Sequence, residues 1–283
     1  MENVNYGNGE EQGIQVGEKP YPTVMQAIHL VVLYIFIQAL VDFPLALIDL
    51  YKDTEYLYHP IKKVVLGVGS VVFVLWYGFR KTGNPVRDVF PMRKFSLWLL
   101  PLLFLFFLGV QQWLTVINSG VEKVIPTPPW FWELFSKIFD NDFGFWGAFM
   151  KVVVIAPVVE ELIFRGVIMH GLMRNYRAGT AIFYSGLLFA LFHLNPWQFP
   201  ATFMLGLLLG WLMIRNRSIL LCIAGHAINN LLVLLTITYQ EEIAASFLSS
   251  LTIAEMLAAS AVLAGAALAL MIILNRKQPK QNT

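Results

Sequence analysis

The chain has 283 residues, 57% of them hydrophobic and only 13% charged, with a mean hydropathy of +0.63. Soluble domains carry about 45–50% apolar and about 25% charged residues, so a polytopic membrane protein is expected. The net charge of +2 is too small to indicate a nucleic-acid partner, and a single cysteine, Cys222, rules out an intramolecular disulfide. Lying in an apolar run, Cys222 reads as a small buried hydrophobe.

The first twenty residues are polar, acidic and Gly-rich, without the apolar stretch of a signal peptide. Residues 1–22 are therefore expected to form a disordered tail. Apolar runs then recur near 24–50, 62–79, 95–117, 145–173, 179–194, 198–214, 218–238 and 252–274. A bilayer span takes about 20 such residues. The expected fold is all-α: one transmembrane helical domain over 23–275, about eight helices around a buried polar site, and a basic tail at 276–283.

Basic residues in short loops orient membrane helices. Arg80, Lys81, Arg87, Arg93 and Lys94 lie in the second loop, Arg174 and Arg177 in the fourth, and Arg215 and Arg217 in the sixth. The fifth and seventh loops have no basic residue, whereas Lys52, Lys62, Lys63, Lys123 and Lys137 weaken the contrast in the first and third. The alternation places the even loops and both termini in the cytoplasm, in a multi-pass protein of a bacterial cell membrane. The third loop, about 118–144, carries Phe131, Leu134, Phe135 and Ile138 at helical spacing after Pro128-Pro129. That pattern predicts a short helix on the outer interface.

The polar residues at membrane depth carry the functional signal. Val158-Val159-Glu160-Glu161-Leu162-Ile163-Phe164-Arg165 sits inside an apolar run. Each charge at such depth costs roughly 2.5–3.5 kcal/mol on insertion scales, so it must be paired or used. Glu161 and Arg165 are four apart and share a helix face, which suits an ion pair. Glu160 points about 100° away and is left free as a working carboxylate. The alternative is that all three only join helices. Pro157 removes a backbone donor one turn earlier and leaves a carbonyl to be satisfied nearby. His193 ends the fifth run, and His226 and Asn230 share a face of the seventh. Counted from the cytoplasmic ends, Glu160, His193, Asn230 and His226 lie roughly 20, 22, 18 and 12 Å deep, close enough for one cluster. His170 is too far along the Glu160 helix, and His29 and His59 lack companions. Gly166, Gly171, Gly186, Gly206, Gly210 and Gly225 permit close helix contact.

Peptide hydrolysis needs a base for water and donors for the oxyanion. Glu160 suits the first task, His193 can orient the water, and His226 and Asn230 can donate. The same Glu160, His193 and His226 could instead hold a divalent metal such as zinc. H-E-x-x-H and G-x-S-x-G are both absent.

Glu160-Glu161-x-x-x-Arg165, Phe189-x-x-x-His193 and His226-x-x-x-Asn230 together resemble the three motifs of the CAAX-protease and bacteriocin-processing (CPBP, or Abi) intramembrane proteases. The resemblance covers about 145–238. It implies Glu160, His193, His226 and Asn230 as the catalytic set, with Glu161 and Arg165 in support. It also implies a membrane-associated peptide or protein tail as substrate, prenylated in the eukaryotic branch of the family. Both glutamate-protease and metalloprotease mechanisms have been ascribed to that family. Asn230, an oxyanion donor rather than a usual metal ligand, favours glutamate-activated water. The rival expectations are a non-enzymatic immunity protein that binds a toxic peptide, and a proton- or ion-coupled transporter.

Overall fold

The structure, a computed structural model, describes residues 19–54, 56, 60–131, 144–245 and 251–277. Helix α1 (Val24–Lys52) opens on a capping box: the Thr23 hydroxyl accepts from the Gln26 N–H, and the Gln26 side chain accepts from the Thr23 N–H. Next come α2 (Pro60–Thr82), a one-turn α3 (Val86–Val89) and α4 (Leu99–Val124). Helix α4 runs beyond the expected end at 117. Thr115 and Ser119 turn their hydroxyls back to the carbonyls four residues earlier, at 3.0 and 2.9 Å, so these polar residues are satisfied without ending the helix. It stops at Ile125, the residue before Pro126, where the helical conformation is disfavoured.

Residues 129–131 are helical, the start of the short helix expected in the third loop; 132–143 lie outside the described residues. The Phe131 ring meets the Trp197 ring at 4.5 Å, and Trp197 Nε1 donates to the Ile125 carbonyl at 2.7 Å. The loop after α4 is thus pinned to the turn between two later helices.

The rod over 144–175, α5, alternates between α and π turns. It is followed by α6 (Ala178–Phe192), α7 (Phe199–Asn216), α8 (Ile219–Thr238), a short α9 (Gln240–Ala244) that the sequence did not suggest, and α10 (Ile253–Lys277). Helix α10 carries on through Arg276 and Lys277, which the composition had assigned to the tail. Among the described residues there is no strand, only an isolated bridge between Met92 and Ser218. Helices α1, α4, α7, α8 and α10 are long and apolar enough to cross a membrane. Helix α6 is shorter and α5 is broken, so eight is an approximate count. Many large apolar side chains face outward, among them Phe36, Phe43, Trp76 and Val262, as lipid contact requires.

Helices α6 and α7 form a hairpin, and α10 lies along α4. Small residues set both distances. A Cβ added at Gly206 would stand 2.7 Å from Gly186 Cα, and one at Gly109 would stand 2.7 Å from the Ser260 carbonyl oxygen. Gly171, expected to receive a helix, instead receives Pro22, whose atoms would be 2.1 Å from an added Cβ. Asn175 holds the same segment by donating to the Pro20 carbonyl at 2.6 Å. Cys222 is fully buried and directs its thiol to the Leu209 carbonyl at 3.5 Å.

Gly206→Ala should therefore separate α6 from α7 and lower stability by about 1–3 kcal/mol, as overpacking does. Gly265→Ala, where an added Cβ meets nothing within 4 Å, should leave the thermal midpoint unchanged or raise it. Thermal unfolding of the two purified variants in one detergent checks the contrast.

Candidate active site

The site is built on a helix with two irregular stretches. Phe149–Ile155 and Leu162–Ile168 are π-helical, and Ala156–Glu161 between them is α-helical. The Ala156 N–H reaches back five residues to the Lys151 carbonyl, the bond that defines a π turn. Pro157 comes next and has no N–H to give. In the same five-residue register its missing donor would have bonded Val152. That carbonyl accepts instead from Asn230 Nδ2, at 2.9 Å. The acceptor that proline leaves open is thus closed from α8.

Glu161 and Arg165 both have fully buried side chains and pair at 3.1 Å between Oε1 and Nη1. His226 Nδ1 reaches the same oxygen at 2.9 Å. An ionised carboxylate only accepts, so His226 carries its proton on Nδ1. Arg165 Nη2 donates to the Gly206 carbonyl at 3.1 Å, and its guanidinium carbon lies 4.6 Å from the centre of the Phe189 ring. The ion pair expected from spacing is present, and its members tie α5 to α6, α7 and α8. Water is excluded here, so these bonds replace hydration that each charge has lost.

Glu160 is oriented differently. Its side chain is 14% exposed, and Oε2 is buried without a hydrogen-bond partner. The nearest basic atom is His193 Nε2, 3.9 Å away. His193 gives Nδ1 to the Phe189 carbonyl at 2.9 Å. A carbonyl can only accept, so Nδ1 bears the proton and Nε2 of the neutral ring is an acceptor. The Glu160–His193 separation is too long for a direct hydrogen bond.

The four residues picked from sequence do not all converge. Glu160 faces His193, whereas His226 spends Nδ1 on Glu161 and Asn230 spends one amide hydrogen on Val152. Asn230 also accepts from Asn229 at 3.1 Å. What remains for a substrate is His226 Nε2 and the second N–H of Asn230. The metal alternative needs Glu160, His193 and His226 around one point. Among the described residues, no group of three His, Cys, Asp or Glu side chains is arranged to hold an ion. As placed, the donors do not fit a metal.

Two features escaped sequence reasoning. One is the His226–Glu161 bond, which joins residues 65 apart in the chain. The other is Phe189, whose ring is fully buried and packs on the Arg165 guanidinium and on the rings of His193 and His226, at 4.9 and 5.5 Å. The i, i+4 spacing of Phe189 and His193 was visible, but nothing in it distinguished a wall of the site from ordinary core.

Removal of one partner from the buried pair should be costly where loss of Glu160 is not. Arg165→Ala is expected to destabilise by about 3–5 kcal/mol, because Glu161 is left buried without its counter-charge and with His226 as its remaining donor. Glu160→Gln breaks no hydrogen bond and should unfold near the wild-type temperature. Folded yield and thermal midpoint, measured on both variants, test the difference.

Residues 142–232 match the family model described as Rce1-like, type II CAAX prenyl endopeptidase. That is about a third of the chain, and it contains every residue of the three motifs. No curated protein and no solved structure matches. The matched segment spans all of α5, α6 and α7, and α8 to beyond Asn230. By motif and by match, residues 142–232 are similar to the Rce1-like type II CAAX prenyl endopeptidases, in keeping with the CPBP/Abi resemblance.

Proposed function

We propose that this protein is an intramembrane endopeptidase that cleaves a membrane-associated peptide or protein tail with a water activated by Glu160. The observation that carries the reading is the gap between Glu160 and His193. A buried carboxylate oxygen without a partner lies 3.9 Å from a ring nitrogen whose other nitrogen is already committed.

A water in that gap donates one hydrogen to Glu160 Oε2 and the other to His193 Nε2. Its lone pair then points away from both, toward a peptide carbonyl. Glu160 takes one proton as the water oxygen bonds to the carbonyl carbon. The amide C–N bond then breaks, and Glu160 returns the proton to the departing amine, as a general base and acid in turn. The tetrahedral oxyanion meets the spare N–H of Asn230. His226, held through Nδ1 by Glu161, lines the same side of the site.

The substrate fits a membrane setting. An apolar cavity of about 380 Å³ lies beside His193, lined by Val121, Leu191, Leu194 and Phe199 among others. It suits apolar side chains or a prenyl group on the tail being cut.

Glu160→Gln should slow cleavage of a prenylated CAAX peptide by about a hundred- to ten-thousand-fold, the usual worth of a positioned acid–base group, with folding intact. If purified Glu160→Gln cuts at the wild-type rate, another group activates the water. Addition of 1,10-phenanthroline should leave the wild-type rate unchanged, because no step passes through a metal; inhibition reversed by added zinc would favour the metal mechanism.

A further inference from the structure

A second cavity, of about 400 Å³, lies at the other end of α5. Its rim is held by backbone pairing between two loops. Arg93 N–H donates to the Arg217 carbonyl at 3.2 Å, and Ile219 N–H to the Pro91 carbonyl at 2.9 Å. Arg217 has a left-handed conformation, φ 48°, which ends α7 and turns the chain into this pairing. Arg87, Arg93, Arg174 and Arg217 line the cavity, with His170 and Arg165 deeper in. Asp88 is the one carboxylate on the lining, and the cation nearest it is Arg87, at 3.9 Å. Among the described residues no carboxylate pairs with Arg93, Arg174 or Arg217.

Two buried polar atoms on this lining lack partners. His170 gives Nδ1 to the Asp88 carbonyl at 3.1 Å, and its Nε2 is buried and unbonded. Arg165 is fully buried, and its Nε is likewise unbonded. Orphaned buried groups call for an explanation, and a bound ligand supplies one. The charge excess in a concave site concentrates positive potential. Planar guanidinium forks match the paired oxygens of an oxyanion such as a phosphate group, and several cations converging on one cavity suit its multiple charge. The site is at the ends of α5 and α7, the level of lipid headgroups, on the side that the loop charges place in the cytoplasm. Arg174 is fourteen residues beyond Glu160 on one rod, roughly 20 Å away, so the rim of this cavity lies apart from Glu160, with Arg165 between the two.

We infer that the arginine-lined cavity binds a phosphate-bearing anion, drawn either from an anionic phospholipid headgroup or from free phosphate. Three guanidinium groups that have no ion-pair partner among the described residues give the site its affinity, and His170 Nε2 gives it a further contact. The inference does not depend on the identity of the hydrolytic residues.

The test uses the purified full chain in nanodiscs. Arg174→Gln, Arg217→Gln and, as a further variant, Arg93→Gln replace side chains at the rim, two of them solvent-exposed, so folding should survive. One arm compares thermal midpoints in phosphatidylcholine discs with those in discs containing phosphatidylglycerol. The other titrates inorganic phosphate into phosphatidylcholine discs, with chloride at equal ionic strength as control. A ligand of the folded state raises the midpoint by mass action. A rise with phosphatidylglycerol alone identifies the lipid as the source, and a rise with inorganic phosphate identifies the free ion. In either case the variants should need about tenfold more ligand for the same shift, the loss of one charge-assisted fork. The proposal is overturned if neither probe raises the wild-type midpoint above its control, or if the variants respond as the wild type does.

Discussion

A single buried ion pair organises the inner half of this molecule. Glu161 and Arg165 face each other one helical turn apart, at a depth where water cannot solvate them. Neither can be satisfied by the other alone. The second contact to Glu161 comes from α8 through His226, and the second hydrogen bond from Arg165 goes to α7 through Gly206, with the Phe189 ring of α6 beneath it. Four helices are therefore tied by groups that would be intolerable if left open. Gly206 serves this arrangement twice, by its exposed carbonyl and by the lack of a side chain that lets α6 approach.

Against that background the freedom of Glu160 stands out. The neighbouring Glu161 accepts on Oε1 from both Arg165 and His226 and leaves only Oε2 without a partner, whereas Glu160 Oε2 has none and its nearest basic atom is 3.9 Å away. Two adjacent carboxylates thus have opposite environments by virtue of the rotation between consecutive residues. One residue holds helices together, and the other keeps a buried oxygen without a partner.

Much of this was legible from the chain. Spacing alone paired Glu161 with Arg165, because i and i+4 share a face wherever the chain is helical. Pro157 announced an open carbonyl, and the structure supplies its donor, Asn230. Helix positions followed from apolar runs, since membrane helices are selected by hydropathy. Other features were not legible, for physical reasons. The π turns cannot be seen in composition, because they change hydrogen-bond register without changing the residues that form it. The bond between His226 and Glu161 joins distant segments whose rotation about their axes is set by packing. The same packing draws Asn230 toward Val152, although its type suggested an oxyanion donor. Helix α4 runs past the apolar run that ends at 117, because its last turns are polar and the Thr115 and Ser119 hydroxyls find carbonyls within their own helix.

The wide turns on either side of Ala156–Glu161 have an implication for how such a rod can vary. A π turn holds one residue more than the α turn it replaces, so each of the two stretches stores a spare residue. Loss of that residue would let the turn close into regular α-helix, one full turn replacing another, so the segments on either side would keep nearly the same orientation. In the second stretch it would also bring Glu161 and Arg165 from i, i+4 to i, i+3, a spacing that still shares a helix face. The wide turns thereby absorb a change of one residue in length without re-aiming the charges beyond them.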